Sequence, residues 1–122
     1  REIEGENPLY LPQAKVYDRS CSIGPCFIPA SEVDDPHDLE MSMEIHRDGD
    51  VVWQGATSTA KMVRTCEELV GFYQRSNDLP PLSVLLTGTS LVPEEGTTLK
   101  AGDTVRIEIE SIGVLENPVT TV

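Results

Sequence analysis

An α+β fold that is mainly antiparallel β, with one helix packed at its side, is what this sequence predicts, on three observations. Leu39, Met41, Met43 and Ile45 alternate with Glu40, Ser42, Glu44 and His46, and Asp48-Gly49-Asp50 follows directly. Val105, Ile107 and Ile109 alternate in the same way with Arg106, Glu108 and Glu110. Between these two segments Thr65 stands three residues before Glu68, the spacing at which a hydroxyl and a carboxylate cap each other's backbone N–H at a helix start. Alternation at period two places apolar groups on one face of a strand and polar groups on the other. A predominantly antiparallel sheet tolerates that arrangement, with one face covered and one face wet.

Taken in order, residues 1–12 are polar and interrupted by Gly5, Pro8 and Pro12, so they read as an arm without periodicity. Lys15-Val16-Tyr17 is expected to begin a short strand, and Ile23-Gly24-Pro25-Cys26-Phe27-Ile28 a second, broken at its Gly-Pro pair. Pro29 to Asp38 is a turn-rich connector. The Leu39 to His46 strand is followed by a turn that needs positive φ, and Val51-Val52-Trp53-Gln54-Gly55 returns as the second arm of a hairpin. After Thr65, apolar groups at Leu69, Val70, Phe72 and Tyr73 make a helix of about three turns, which Asn77 and Pro80 stop. Leu82 to Leu86 is an apolar run expected to form a buried strand leading into Thr87-Gly88-Thr89. With Val105 to Glu110 and a last short strand around Gly113 to Val119, the expectation is about six short strands around one helix.

Charge and composition remove several functional classes. The chain has 122 residues, with 21 acidic against 9 basic side chains and a formal net charge of -12. Such a surface repels phosphate backbones and anionic headgroups. One Trp, three Tyr and two Phe, with no basic run among them, leave no stacking platform for single-stranded bases, so nucleic acid is excluded as a partner. No stretch approaches the roughly 20 apolar residues that a membrane-crossing helix requires, so no membrane partner is expected. Cys21, Cys26 and Cys66 are odd in number and lack Cys-x-x-Cys spacing, which argues against a disulfide framework and a structural zinc site and for a reducing, cytoplasmic compartment.

Few residues qualify as site candidates. His37 and His46 are nine positions apart with no third ligand in phase, and both read as surface residues. Lys15 is the one charge between Leu9 and Tyr17, which suits either an ammonium facing a water-poor pocket or one reaching from a strand edge to solvent. Thr87-Gly88-Thr89 offers hydroxyls and backbone N–H groups to an anion, or is a plain tight turn.

The ordered set of segments resembles the fumarylacetoacetate hydrolase family. The resemblance rests on Gly24-Pro25 shortly after a lone lysine, and on the Thr-Gly-Thr after an apolar run. It rests also on Leu99-Lys100-Ala101-Gly102-Asp103-Thr104-Val105-Arg106-Ile107-Glu108-Ile109, which matches the family's L-x-x-G-D-x-V-x-I-x-I closing strand. The opening Glu4-Gly5-Glu6-Asn7-Pro8-Leu9-Tyr10-Leu11-Pro12-Gln13-Ala14-Lys15-Val16-Tyr17-Asp18 is similar to the sugar-acid branch, which includes 2-keto-3-deoxy-pentonate dehydratases.

The resemblance implies a mixed β-roll in a homodimeric, cytoplasmic enzyme that uses Mg²⁺ or a similar ion on a small 2-keto acid. It places Lys15 at the metal and substrate as a catalytic and substrate-binding residue, and Thr89 at the substrate carboxylate. It assigns no role to Asp18, Glu94 or Glu95, and it puts the metal ligands ahead of Arg1, none within residues 1–122. Because the chain opens Arg1-Glu2-Ile3 without an initiator Met, residues 1–122 are expected to be the C-terminal portion of such a catalytic domain, inactive alone. Dehydration of a 2-keto-3-deoxy sugar acid is the expected reaction, with C–C hydrolysis of a diketo acid as the alternative. A non-catalytic binding or assembly module is the competing class, which an initiator Met directly before Arg1 would favour.

Overall fold

The computed structural model describes residues 7–10, 12, 15–94 and 96–122. Most of the arm expected over residues 1–12, part of the opening family-like segment, and Glu95 therefore lie outside the described residues.

Four strands form one antiparallel sheet: β1 (Glu40–Arg47), β2 (Asp50–Ser58), β3 (Thr104–Ile109) and β4 (Gly113–Pro118), in the order β2-β1-β3-β4. Among the described residues one α-helix, α1 (Cys66–Gln74), lies between β2 and β3 in sequence, and short 3-10 turns occupy Pro8–Tyr10, Ala30–Glu32 and Thr59–Lys61. The α+β, mainly β class read from the sequence is the class observed.

The hairpin forms where the turn chemistry put it. Asp48 and Gly49 have φ of 53° and 91°, so both central positions are left-handed, which matches the right-handed twist of the two arms. Arg47 pairs with Asp50, and a bulge between Ile45 and His46 leaves Val52 as the extra residue on β2.

Pairing across the sheet defines its two faces. On one, Leu115, Ile107, Met43 and Gly55 form a row; Asn117, Val105, Ile45 and Trp53 form the next, and Gly113, Ile109, Met41 and Thr57 the third. The other face carries Glu44, Arg106 and Glu116 opposite one another, with the His46 ring 2.8 Å from Glu44 and Arg106 donating to Glu108 at 2.9 Å. Among the described residues only Leu39 and Ile45 are buried apolar side chains, so the apolar face is a floor that is only half covered.

Three expected strands are absent. Lys15 to Tyr17 is a turn, in which the Lys15 N–H donates to the Pro12 carbonyl and the Ser20 hydroxyl donates to the Lys15 carbonyl. Ile23 to Ile28 has no ladder and instead lies against β4, with Gly24 on the Leu115 side chain and Pro25 against Gly113. Leu82 to Leu86 is irregular and open to solvent: Leu82 sits at φ 63° inside a turn closed from Ser83 to Pro80, and is 97% exposed. An apolar run becomes a strand only where a neighbour accepts its backbone hydrogen bonds, and no neighbour is supplied here among the described residues.

The helix begins as expected. The Thr65 hydroxyl accepts from the Glu68 N–H, and the Glu68 carboxylate accepts from the Thr65 N–H. It ends at Gln74, ahead of both Asn77 and Pro80, with Ser76 at φ 62° and the Asn77 amide donating to the Tyr73 carbonyl at 2.9 Å. None of its residues is buried, so it is not packed down on the sheet as a core helix would be.

Candidate functional site

Two irregular segments border the apolar face from opposite edges, and the two candidate residues lie ahead of these segments in sequence. Along β4, the Ser22 hydroxyl donates to the Asn117 side-chain oxygen at 2.8 Å, Gly24 meets Leu115, Pro25 meets Gly113, and the Cys26 thiol reaches the Ile112 carbonyl at 3.6 Å. Along β2, Ser90 and Thr57 hydroxyls are 3.0 Å apart, Leu91 lies against Gly55, and the Trp53 indole N–H donates to Glu94 at 2.8 Å. The rows pair these contacts: Leu115 and Gly55 share one, Asn117 and Trp53 the next, Gly113 and Thr57 the third. With neighbouring strands about 4.8 Å apart, the edge strands β2 and β4 stand roughly 14 Å from each other, with Met41, Met43 and Ile107 between them.

Lys15 precedes the β4 border by seven residues and is exposed in its turn. Burial in a strand, the setting in which a lysine loses its water, is not what this chain supplies around it. Thr89 immediately precedes the β2 border and is also exposed. Its hydroxyl oxygen accepts the Leu91 N–H at 3.0 Å, so its own O–H proton is directed elsewhere. Gly88, at φ 86°, precedes it in the left-handed region that a glycine adopts without strain.

His37 and His46 take structural parts. His37 Nε2 accepts the Cys66 N–H at 3.5 Å and lies 3.5 Å from Glu67, tying the connector to the start of α1. Among the described residues, no group of three or more His, Cys, Asp and Glu side chains is arranged to hold a metal ion. No helix among them is long and apolar enough to cross a membrane.

The sequence reading passed over two features. Asp103, 1% exposed, receives Arg47 in a two-pronged contact, Nε to Oδ1 at 2.7 Å and Nη2 to Oδ2 at 2.8 Å, and also the Lys100 N–H at 2.8 Å. The Arg47 hydrogen bonds are the main cause that pulls its carboxyl down from 3.8 to about 2, against the opposing effect of burial. Arg47 further donates to the Thr98 carbonyl at 3.0 Å, beside a cavity of about 250 Å³ lined by Val52, Gly96, Thr97 and Lys100. The Gly102-Asp103 pair in the closing motif was the available signal, but nothing local pointed to Arg47, 56 positions away. The second feature is the Trp53–Glu94 hydrogen bond. Glu94's own backbone N–H, and then the indole, hold its carboxyl below the ordinary range.

An open antiparallel sheet with a buried Asp103 ahead of its closing hairpin fits the class that the closing motif indicated. Residues 1–120 match the family described as fumarylacetoacetate (FAA) hydrolase C-terminal, and the chain belongs to that family. It is 63% identical over 122 residues to a probable 2-keto-3-deoxyxylonate dehydratase of Haloferax volcanii, covering 100% of this chain and 42% of that protein. It is 41% identical over 119 residues to the 2-dehydro-3-deoxy-D-arabinonate dehydratase of Saccharolobus solfataricus, covering 98% and 40% of the two chains. A solved structure of 2-keto-3-deoxy-D-arabinonate dehydratase complexed with magnesium and 2,5-dioxopentanoate superposes with a TM-score of 0.94 at 41% identity, over 97% of this chain and 42% of that one. These relatives fall in the sugar-acid branch that the opening segment indicated. The chain spans about 40% of the length of the curated relatives it matches.

Proposed function

We propose that this chain is the C-terminal portion of the catalytic domain of a cytoplasmic, homodimeric, magnesium-dependent enzyme that dehydrates a 2-keto-3-deoxy sugar acid. The observation that carries the reading is the chain-long likeness to the dehydratase whose structure holds magnesium and 2,5-dioxopentanoate. That dioxo acid is what a 2-keto-3-deoxypentonate becomes on losing one water. Dehydration is favoured over C–C hydrolysis because both curated relatives above are named dehydratases.

Among the described residues no group of three or more His, Cys, Asp and Glu side chains is arranged to hold the ion, and the family resemblance puts its ligands ahead of residue 1. When bound, a divalent ion polarises the keto oxygen of such a substrate and eases loss of a proton from C3. Within this chain, Thr89 donates its free O–H to the substrate carboxylate and fixes that end of the molecule, a positioning role. Lys15 brings a cation to the keto oxygen, on which negative charge grows as the C3 proton leaves and from which it drains as the C4 hydroxyl departs as water; a proton then moves from C5 to C3 to give the dioxo acid. The apolar floor of Met41, Met43 and Ile107 restricts water between the two borders.

The test is turnover of 2-keto-3-deoxypentonates by the full-length protein with Mg²⁺. The reading expects one water lost and a five-carbon dioxo acid formed, and Lys15→Met lowering kcat on the order of a hundredfold, the cost of removing one charge-stabilising donor. Two shorter carbon fragments would instead establish C–C cleavage. No turnover, together with unchanged pyruvate binding in Lys15→Met, would favour the assembly module.

A further inference from the structure

The proposed role of Thr89 requires its hydroxyl to be held to within about half an ångström, the tolerance of a preorganised site. Yet Thr89 lies in the connection between α1 and β3, residues 75–103, in which no helix or strand is present among the described residues. Backbone regularity therefore cannot be what fixes it.

Three side-chain contacts to β2 do hold it. Thr57, 8% exposed, meets the Ser90 hydroxyl at 3.0 Å, one residue after Thr89. Leu91, whose N–H is bonded to the Thr89 hydroxyl, lies on Gly55 so closely that a Cβ there would stand 3.2 Å from it. The Trp53 ring folds back over the same glycine, where a Cβ would be 2.6 Å away, and its N–H reaches Glu94 at 2.8 Å. The indole thus occupies the space that a side chain at position 55 would take, and its polar tip fastens the far end of the segment. Trp53 is a costly residue to leave half covered unless ring and N–H both have partners, and both do.

We infer that Trp53 and Glu94, supported by Gly55 and Thr57, are positioning residues that clamp the Thr89 loop in its carboxylate-binding geometry, an inference that rests on the proposed role of Thr89. Neither Trp53 nor Glu94 touches substrate. The clamp acts by ordering the loop before the acid arrives, so that binding does not have to order it.

The experiment uses the full-length protein with Mg²⁺ and two probes: pyruvate, and pyruvamide, which keeps the keto group and an amide oxygen but loses the negative charge. The variants are Trp53→Phe, which keeps a ring and loses the donor, Glu94→Ala, and the conservative Glu94→Gln, which keeps an acceptor. Trp53→Phe and Glu94→Ala are expected to weaken pyruvate about tenfold while leaving pyruvamide within about twofold, because the lost precision falls on the charged contact. With substrate, KM rises and kcat holds, and Glu94→Gln restores most of the pyruvate affinity. Pyruvate affinity unchanged in Trp53→Phe and Glu94→Ala, with Thr89→Val weakened, overturns the clamp and leaves the role of Thr89 standing. Thr89→Val binding pyruvate as tightly as the wild type overturns that role and the clamp together. Equal loss for both probes also overturns the clamp, since it marks a general collapse of the face.

Discussion

Asp103 shows how much one carboxylate can hold in place. It is buried at the corner where the chain enters β3, and its carboxylate accepts, among the described residues, two hydrogen bonds from the Arg47 guanidinium and one from the Lys100 N–H. Arg47 closes β1, so the pair joins the end of the central strand to the start of its neighbour. The Asp103 carboxyl is lowered to about 2 in the folded chain, against 3.8 ordinarily. A depressed carboxyl contributes stability that is fully present above its unfolded value and lost as pH falls through its folded one. Thermal melts are therefore expected to show a loss of stability between about pH 4 and pH 2, and Asp103→Asn to remove that part of the acid sensitivity while lowering Tm at pH 7. An Asp103→Asn protein with the wild-type melting temperature at pH 7 would refute the latch. The Thr89 hydroxyl accepts the Leu91 N–H, which leaves its own proton directed elsewhere, whereas Lys15 is placed by a turn and not by a strand.

Elements whose signals are local were legible in the sequence. The hairpin followed from period-two alternation and a turn that needs positive φ, and the helix start from Thr65 and Glu68, all within a few residues of one another. Thr65→Ala is expected to cost about 1 kcal/mol, the usual worth of such a cap, seen as faster amide exchange over the first turn of α1. Gly49, at φ 91°, admits an L side chain only with strain, so Gly49→Ala should destabilise by about 1 kcal/mol or more in a denaturant melt, with β2 pairing affected first. The strands expected at Lys15 to Tyr17, Ile23 to Ile28 and Leu82 to Leu86 were not realised because strand formation is a property of pairs. These runs are apolar enough to be strands, but a sequence window does not show whether a partner edge is present. The candidate site was legible only in part for the same reason. Lys15 and Thr89 were reached by motif order, while Trp53, Glu94 and the Arg47–Asp103 pair depend on contacts spanning 41 and 56 positions.

For the molecule as a whole, surface is the telling quantity. The chain exposes 9497 Å². A folded monomer of 13.4 kDa is expected to expose about 6,500 Å². The excess, about 3,000 Å² on one chain, is above the roughly 1,000–2,500 Å² that one partner contributes to most obligate interfaces. It includes the half-covered sheet face and exposed apolar groups such as Leu9, Phe27, Val63 and Leu82. The separate 122-residue chain should accordingly melt at a lower temperature and less cooperatively than the full-length protein; a sharp melt at the same temperature would contradict this.

In the proposed enzyme the segments bordering this face from opposite edges serve one 2-keto-acid site. Calorimetric titration of oxalate into the Mg²⁺-supplied full-length protein, wild type against Lys15→Met, Thr89→Val and the double variant, tests it directly. Each single change should weaken binding by about ten- to a hundredfold, the loss of one hydrogen bond or ion contact to a charged group, and the double variant by more. Oxalate affinity equal to the wild type in both single variants would contradict the claim.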